Sequence, residues 1–220
     1  MPFTPYDFFA YLASGSLVVA TVDVLFGMQW LYSKDHPLAL DVFLVLVAYV
    51  LGHVIAQLSS SLFESLLVER GLLGPSYILM GKTRRGFPYL FRHYYKPLRE
   101  EIRARVIDQS RTRGFSGSGE ALFVHAFGVV KRDAPTMLRL DQFRNLYGFA
   151  RNMALSLFVV ALLISIGPLA GRQAIPQPWA WCALGLGVVM LYRYLKFFRQ
   201  YSYEILVTYA ELPTRKVVGE

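Results

Sequence analysis

The stretch LALDVFLVLVAYVLGHVIAQLSSSLFESLL, residues 38–67, decides the fold. Apolar residues dominate it for longer than the roughly 20 positions that a membrane-spanning helix needs. Its second half nevertheless carries His53, Gln57, three consecutive serines and Glu64. Polar groups facing lipid are costly, so a span of this kind must turn them toward other helices or toward water.

Three further segments have the same apolar character, at residues 10–31, 147–169 and 179–192, the first with a single acid, Asp23. Over the 220 residues the hydrophobic fraction is 55% and the charged fraction only 17%. Soluble globular chains carry about 25% charge, so the composition points to a multi-pass membrane protein. Cys182 is the sole cysteine, which excludes an intramolecular disulfide and a Cys-rich metal site. The opening MPFTPYDFFAYL lacks the basic region of a cleavable signal, so the first span is expected to be retained.

Lysine and arginine set the orientation. The segments YSKDHP and GRQAIPQP hold one basic residue each, whereas residues 69–144 hold 15 Lys and Arg against 7 Asp and Glu, a net of +8. Arg193, Lys196, Arg199, Arg215 and Lys216 follow the fourth span. Both short loops are therefore expected outside, and the middle segment and both termini in the cytoplasm. Trp30, Tyr32, Trp179 and Trp181 then fall at the outer interface, where amphipathic rings settle.

The expected architecture is all-α: a four-helix transmembrane protein with a small helical cytoplasmic layer. Residues 1–68 form the first transmembrane hairpin and 69–144 a basic cytoplasmic helical insert. Residues 145–198 form the second hairpin, and 199–220 a helical extension and tail. Within the insert, KPLREEIRARVIDQS has Pro97 near a first turn and acids before bases, the order that suits a helix dipole. Ser118 is a candidate cap for GEALFVHAFGVVKR, and Asp133 and Pro135 start a helix that continues into the third span. The second helix is expected to persist to Val68 and the fourth to stop before Pro213.

Several motifs carry less than they promise. GKTRRG at 81–86 has Ser76 where a phosphate loop needs glycine. The patch Lys82, Arg84, Arg85, Arg92 and Lys96, interleaved with aromatics, suits an anionic inner leaflet or a protein partner rather than nucleic acid. His36, His53, His93 and His125 are scattered without metal-ligand spacing, so neither metal nor cofactor is expected.

His53, Gln57, Ser60 and Glu64 are spaced 4, 3 and 4, which puts them on one stripe of an α-helix. At 1.5 Å per residue His53 lies about 12 Å inside the inner boundary if the hydrocarbon ends near residue 61. Arg144, Arg151 and Asn152 lie near the inner end of the third span. Glu64 and Arg151 come out at similar depth and are expected to pair. Asp23, about 18 Å in by the same counting, is a looser candidate partner for His53. Ser16, Ala20, Ala150, Ala154, Gly185 and Gly187 are candidate close-packing positions.

GHVIAQLSSSLFESLLVERGLLGP and FRNLYGFARNMALS together resemble an uncharacterised family of small four-span bacterial inner-membrane proteins. The resemblance rests on Gly52, His53, Ser59, Ser60 and Glu64, then Tyr147, Gly148, Phe149, Arg151 and Asn152. It covers about a fifth of the chain. It implies four spans and a cytoplasmic insert and no activity.

Three functions fit these features. The first is a channel-like or membrane-effector component, homo-oligomeric, whose cytoplasmic layer senses a signal. The second is a lipid-directed enzyme using His53, Ser60 and Glu64. Ser60 lies two helical turns from His53, about 10 Å along one axis, which weighs against that chemistry. The third is a docking scaffold whose basic insert recruits an acidic partner or anionic lipid.

Overall fold

A computed structural model of the chain describes residues 5–31, 37–82, 91–172 and 175–213. Among these residues there is no strand. The α-helices are α1 (Pro5–Phe26), α2 (Leu38–Ser59), α3 (Pro75–Leu79), α4 (Glu100–Thr112), α5 (Glu120–Val130), α6 (Ala134–Ile166) and α7 (Gln177–Glu211). Between α2 and α3 the chain continues as a π-helix, Ser60–Leu72. Four helical stretches are long and apolar enough to cross a membrane: Phe8–Phe26, Leu38–Leu79, Ala134–Ile166 and Gln177–Glu211.

The chain divides into two compact units, one of Met1–Leu66 with Tyr147–Tyr194, the other of Leu67–Leu146 with Leu195–Glu220. In the first unit α1 and α2 approach backbone to backbone. A Cβ on Gly15 would lie 1.8 Å from the Ala48 carbonyl oxygen, and one on Gly52 would lie 2.0 Å from that of Tyr11. Only glycine permits such a crossing. α2 buries Leu44, Ala48, Gly52, Ile55 and Ser59 on this side. On α6, Ala150 and Ala154 are buried, and the Ser156 hydroxyl donates to the Ser14 carbonyl of α1 at 3.0 Å. Of the candidate packing positions, Gly187 faces the Phe158 ring, whereas Ser16 is exposed and Gly185 has open space where a side chain would go.

The first helix ends earlier than its apolar run. Gly27 takes a left-handed φ of 62°, and the Asp23 carboxylate accepts the amide N–H groups of Trp30 and Leu31 at 2.9 and 3.3 Å. α6 stops at Ile166, just before Pro168, which has no N–H to continue the ladder.

In the second unit the core is built from Leu79, Leu98, Val106, Leu122, Ala126, Val130 and Leu140 together with Ile205, Leu206 and Tyr209 of α7. The π-helix ends in left-handed Leu73, φ 83°. Two buried tyrosines satisfy its last carbonyls: Tyr95 donates to Leu72 and Tyr94 to Leu73. Burial, reinforced by neighbouring Tyr95, pushes the Tyr94 phenol far above the ordinary tyrosine range, so it stays a donor.

Two expected helix starts differ. Gly119, not Ser118, precedes α5, because φ is 63° there and a Cβ would meet the Tyr77 ring. α4 begins at Glu100, leaving Pro97 outside it. Asp133 does open α6, accepting the Thr136 amide at 3.1 Å.

Candidate functional site

Within the first unit, the end of α2, the start of the π-helix and the middle of α6 converge on one polar cluster. Ser59 is fully buried and Asn152 nearly so, at 0% and 3% exposure. The Arg151 guanidinium lies among them with its side chain 14% exposed. One of its terminal nitrogens donates to Glu64 Oε1 in an ion pair. Nε donates to Ser59 Oγ at 3.1 Å and lies 3.4 Å from Asn152 Oδ1. The other terminal nitrogen is 3.5 Å from both the Ala56 carbonyl and Asn152 Oδ1. Because Arg151 fills an acceptor position on Ser59, the single Ser59 proton goes to Asn152 Oδ1 at 2.8 Å or to the Ala56 carbonyl at 2.9 Å. Ser60 Oγ donates to Glu64 Oε2 at 3.1 Å, which fixes the carboxylate's second oxygen.

The sequence puts these groups together for a local reason. Ala48, Gly52 and Ser59 share the face of α2 that packs, so Ser59 arrives inside the contact as part of a small-residue stripe. At Ser60 the backbone passes into i→i−5 pairing. A π turn takes in about one residue more than an α turn, so α-helical arithmetic no longer assigns faces beyond this point. Beyond this change Glu64 faces Arg151, while Ser59, the last residue of α2, contacts Asn152.

The predicted stripe is accordingly not a single interior line. His53 and Gln57 are exposed, Gln57 opposite the packed face of α2 and His53 at its margin against α1. The His53 ring stacks on Tyr11 at 4.1 Å and meets Tyr49 edge-on at 4.7 Å. Asp23 is not its partner. That carboxylate, 1% exposed, holds the turn after α1, and Tyr11 lies twelve residues from it, about 18 Å along the helix. Arg144 is not part of the cluster's ion pair either, because it pairs with Asp141 one turn away at 3.1 Å.

Nucleophilic chemistry has no support in this geometry. Ser60 is bonded to a carboxylate on its own helix, and His53 is committed to an aromatic stack. Among the described residues no three His, Cys, Asp or Glu side chains are placed to hold a metal ion. Of the basic patch, Lys82, Arg92 and Lys96 are exposed, with Lys82 5.1 Å from the centre of the Tyr77 ring. Arg84 and Arg85 lie outside the described residues.

What the cluster can do is hold two opposite charges together in an apolar surrounding, with Nε and both terminal nitrogens of Arg151 facing acceptors. Ser59→Ala is expected to cost about 1–2 kcal/mol, because it leaves Arg151 Nε and Asn152 Oδ1 with only a long contact to each other. Ser60→Ala is expected to cost less, since Ser60 is half-buried and Glu64 keeps Arg151. Thermal unfolding of both variants in detergent checks the order, and the reverse order would remove Ser59 from the centre of the network.

No protein-family model, no curated protein and no solved structure matches this chain.

Proposed function

We propose that this chain is a multi-pass inner-membrane protein, with both termini cytoplasmic, that works as an oligomeric channel-like or membrane-effector component under a cytoplasmic regulatory layer. Four apolar helices support the membrane reading. So do the large apolar side chains exposed along α2, among them Leu46, Val50 and Leu58, which lipid would cover. The basic balance of residues 69–144 supports the orientation, and exposed Lys82, Arg92 and Lys96 suit an anionic leaflet.

The observation that carries the functional reading is the Arg151–Glu64 pair and its Ser59–Asn152 support, set in the unit made of the apolar segments. Ionised side chains in spans are rare and mark ion paths and moving elements. An ion pair is also a natural two-state element, closed while paired and open when separated. α6 and α7 each contribute residues to both compact units without interruption.

Ion flux through liposomes containing the purified protein tests the reading. Wild type and Glu64→Ala are expected to differ in leak at equal protein, with Glu64→Gln between them. Equal leak from all three, or none from any, overturns the channel-like function.

A further inference from the structure

We propose that the outward face of α2 carrying His53 and Gln57 is a contact between two copies of this chain, closed by paired Gln57 carboxamides. The proposal rests on the membrane reading above and names the surface on which the copies would meet.

α2 packs through Leu44, Ala48, Gly52, Ile55 and Ser59. At 3.6 residues per turn Gln57 projects about 180° from the middle of that face. It is exposed, and no hydrogen bond from another described residue reaches its carboxamide. His53, one turn earlier on the same row, is also exposed and keeps its ring against Tyr11 and Tyr49 without a hydrogen bond to its nitrogens among the described residues. Val50 and Val54 flank the row and are exposed as well. In a span, this is an apolar surface with unpaired polar groups at its centre.

Hydrocarbon leaves such groups costly, and a polar partner on another helix relieves the cost. The chemistry selects the partner. A carboxamide is both donor and acceptor, so two of them satisfy each other by reciprocal N–H···O bonds, which two carboxylates or two ammonium groups cannot do. Copies inserted with the same orientation are related by an axis along the membrane normal, so residues of equal depth meet across it. Gln57 then faces the partner's Gln57. The constraint on His53 from Tyr11 holds the next turn in a fixed orientation beside that contact.

The chain supplies its own probe site, since Cys182 is its sole cysteine and is exposed. Donor- and acceptor-labelled protein is mixed in phospholipid vesicles, and energy transfer is followed as lipid dilutes the protein. Wild type is expected to exceed the random-proximity level. Gln57→Leu is expected to move the isotherm to about 3- to 20-fold higher protein density, the range that interhelical hydrogen bonds span in membranes. If Gln57 simply faces lipid, Gln57→Leu is neutral, because leucine is the better lipid-facing residue. Superimposed isotherms for wild type and Gln57→Leu, or wild-type transfer at the random level, overturn the interface. Association through Gln57 in protein that passes no ions keeps the interface and removes only the channel-like function. Failure to insert into vesicles at all overturns both.

Discussion

Glu64→Gln is expected to destabilise the protein by about 3 kcal/mol, Arg151→Gln by about 2 kcal/mol, and the double substitution by about 3 kcal/mol rather than their sum. Breaking a fully buried pair costs about 3–5 kcal/mol, because one charge is left without compensation in a poor solvent. Here the two sides are unequally buried: the Arg151 side chain is 14% exposed and that of Glu64 31%. Removing the carboxylate strands the better-buried charge. Removing the guanidinium strands a carboxylate that is nearly one-third open and still holds Ser60 at 3.1 Å. Solvent screening therefore trims the second cost more than the first.

The size of the coupling separates two views of the cluster. If Arg151 and Glu64 each interacted mainly with other groups, the two losses would add. If they form the ion pair that the geometry contains, the second substitution adds little once the first is made, with a coupling of about 2 kcal/mol. Titration of unfolding with denaturing detergent, applied to wild type, both single variants and the double variant, measures it. Additive losses within about 0.5 kcal/mol would dissolve the pair as an energetic unit.

The four long helices were legible because apolar runs of this length have few other uses. Their ends were less so. α1 stops at Phe26 although apolar residues continue to Leu31, because Gly27 and the Asp23 carboxylate turn the chain by local geometry that hydropathy does not register. Counting depth along two spans brought Glu64 level with Arg151, and the side chains meet. The same counting put Ser60 on the interior stripe, whereas Ser59, the last residue of α2 and on its packed face, is the serine that reaches Asn152. It also turned His53 and Gln57 inward. Polar side chains did not decide which face of α2 packs; the bare backbone at Gly52 did, and its closeness to Tyr11 sets the rotation of the whole helix. The stripe Ala48, Gly52 and Ser59 held that information in the sequence, at spacings of 4 and 7.

That closeness makes Gly52→Ala, with Gly15→Ala, among the most damaging glycine-to-alanine changes in the first unit. Its Cβ would lie 2.0 Å from the Tyr11 carbonyl oxygen, 2.6 Å from the carbonyl carbon and 3.0 Å from the Cα. All three are backbone atoms, so no rotamer change relieves the clash and α1 itself must move away. An opening of 0.5–1 Å already forfeits roughly a quarter to a half of the dispersion energy of each contact across the gap. The loss extends past the glycine, since α1 also carries the Tyr11 ring stacked on His53 and the Ser14 carbonyl that accepts Ser156. The expected cost is about 3 kcal/mol, at the upper end for overpacking, and Gly15→Ala should behave alike because its Cβ would lie 1.8 Å from the Ala48 carbonyl oxygen. Gly185→Ala is the contrast. Gly185 lies inside α7 with nothing within 4 Å of its Cβ position, so alanine should stabilise by about 0.5–1 kcal/mol through helix propensity alone. Opposite signs for two glycine-to-alanine changes in long helices, read from the same unfolding titration, would locate the tight crossing at α1 and α2. Equal and small effects at Gly52 and Gly185 would mean that these two helices do not touch through their backbones.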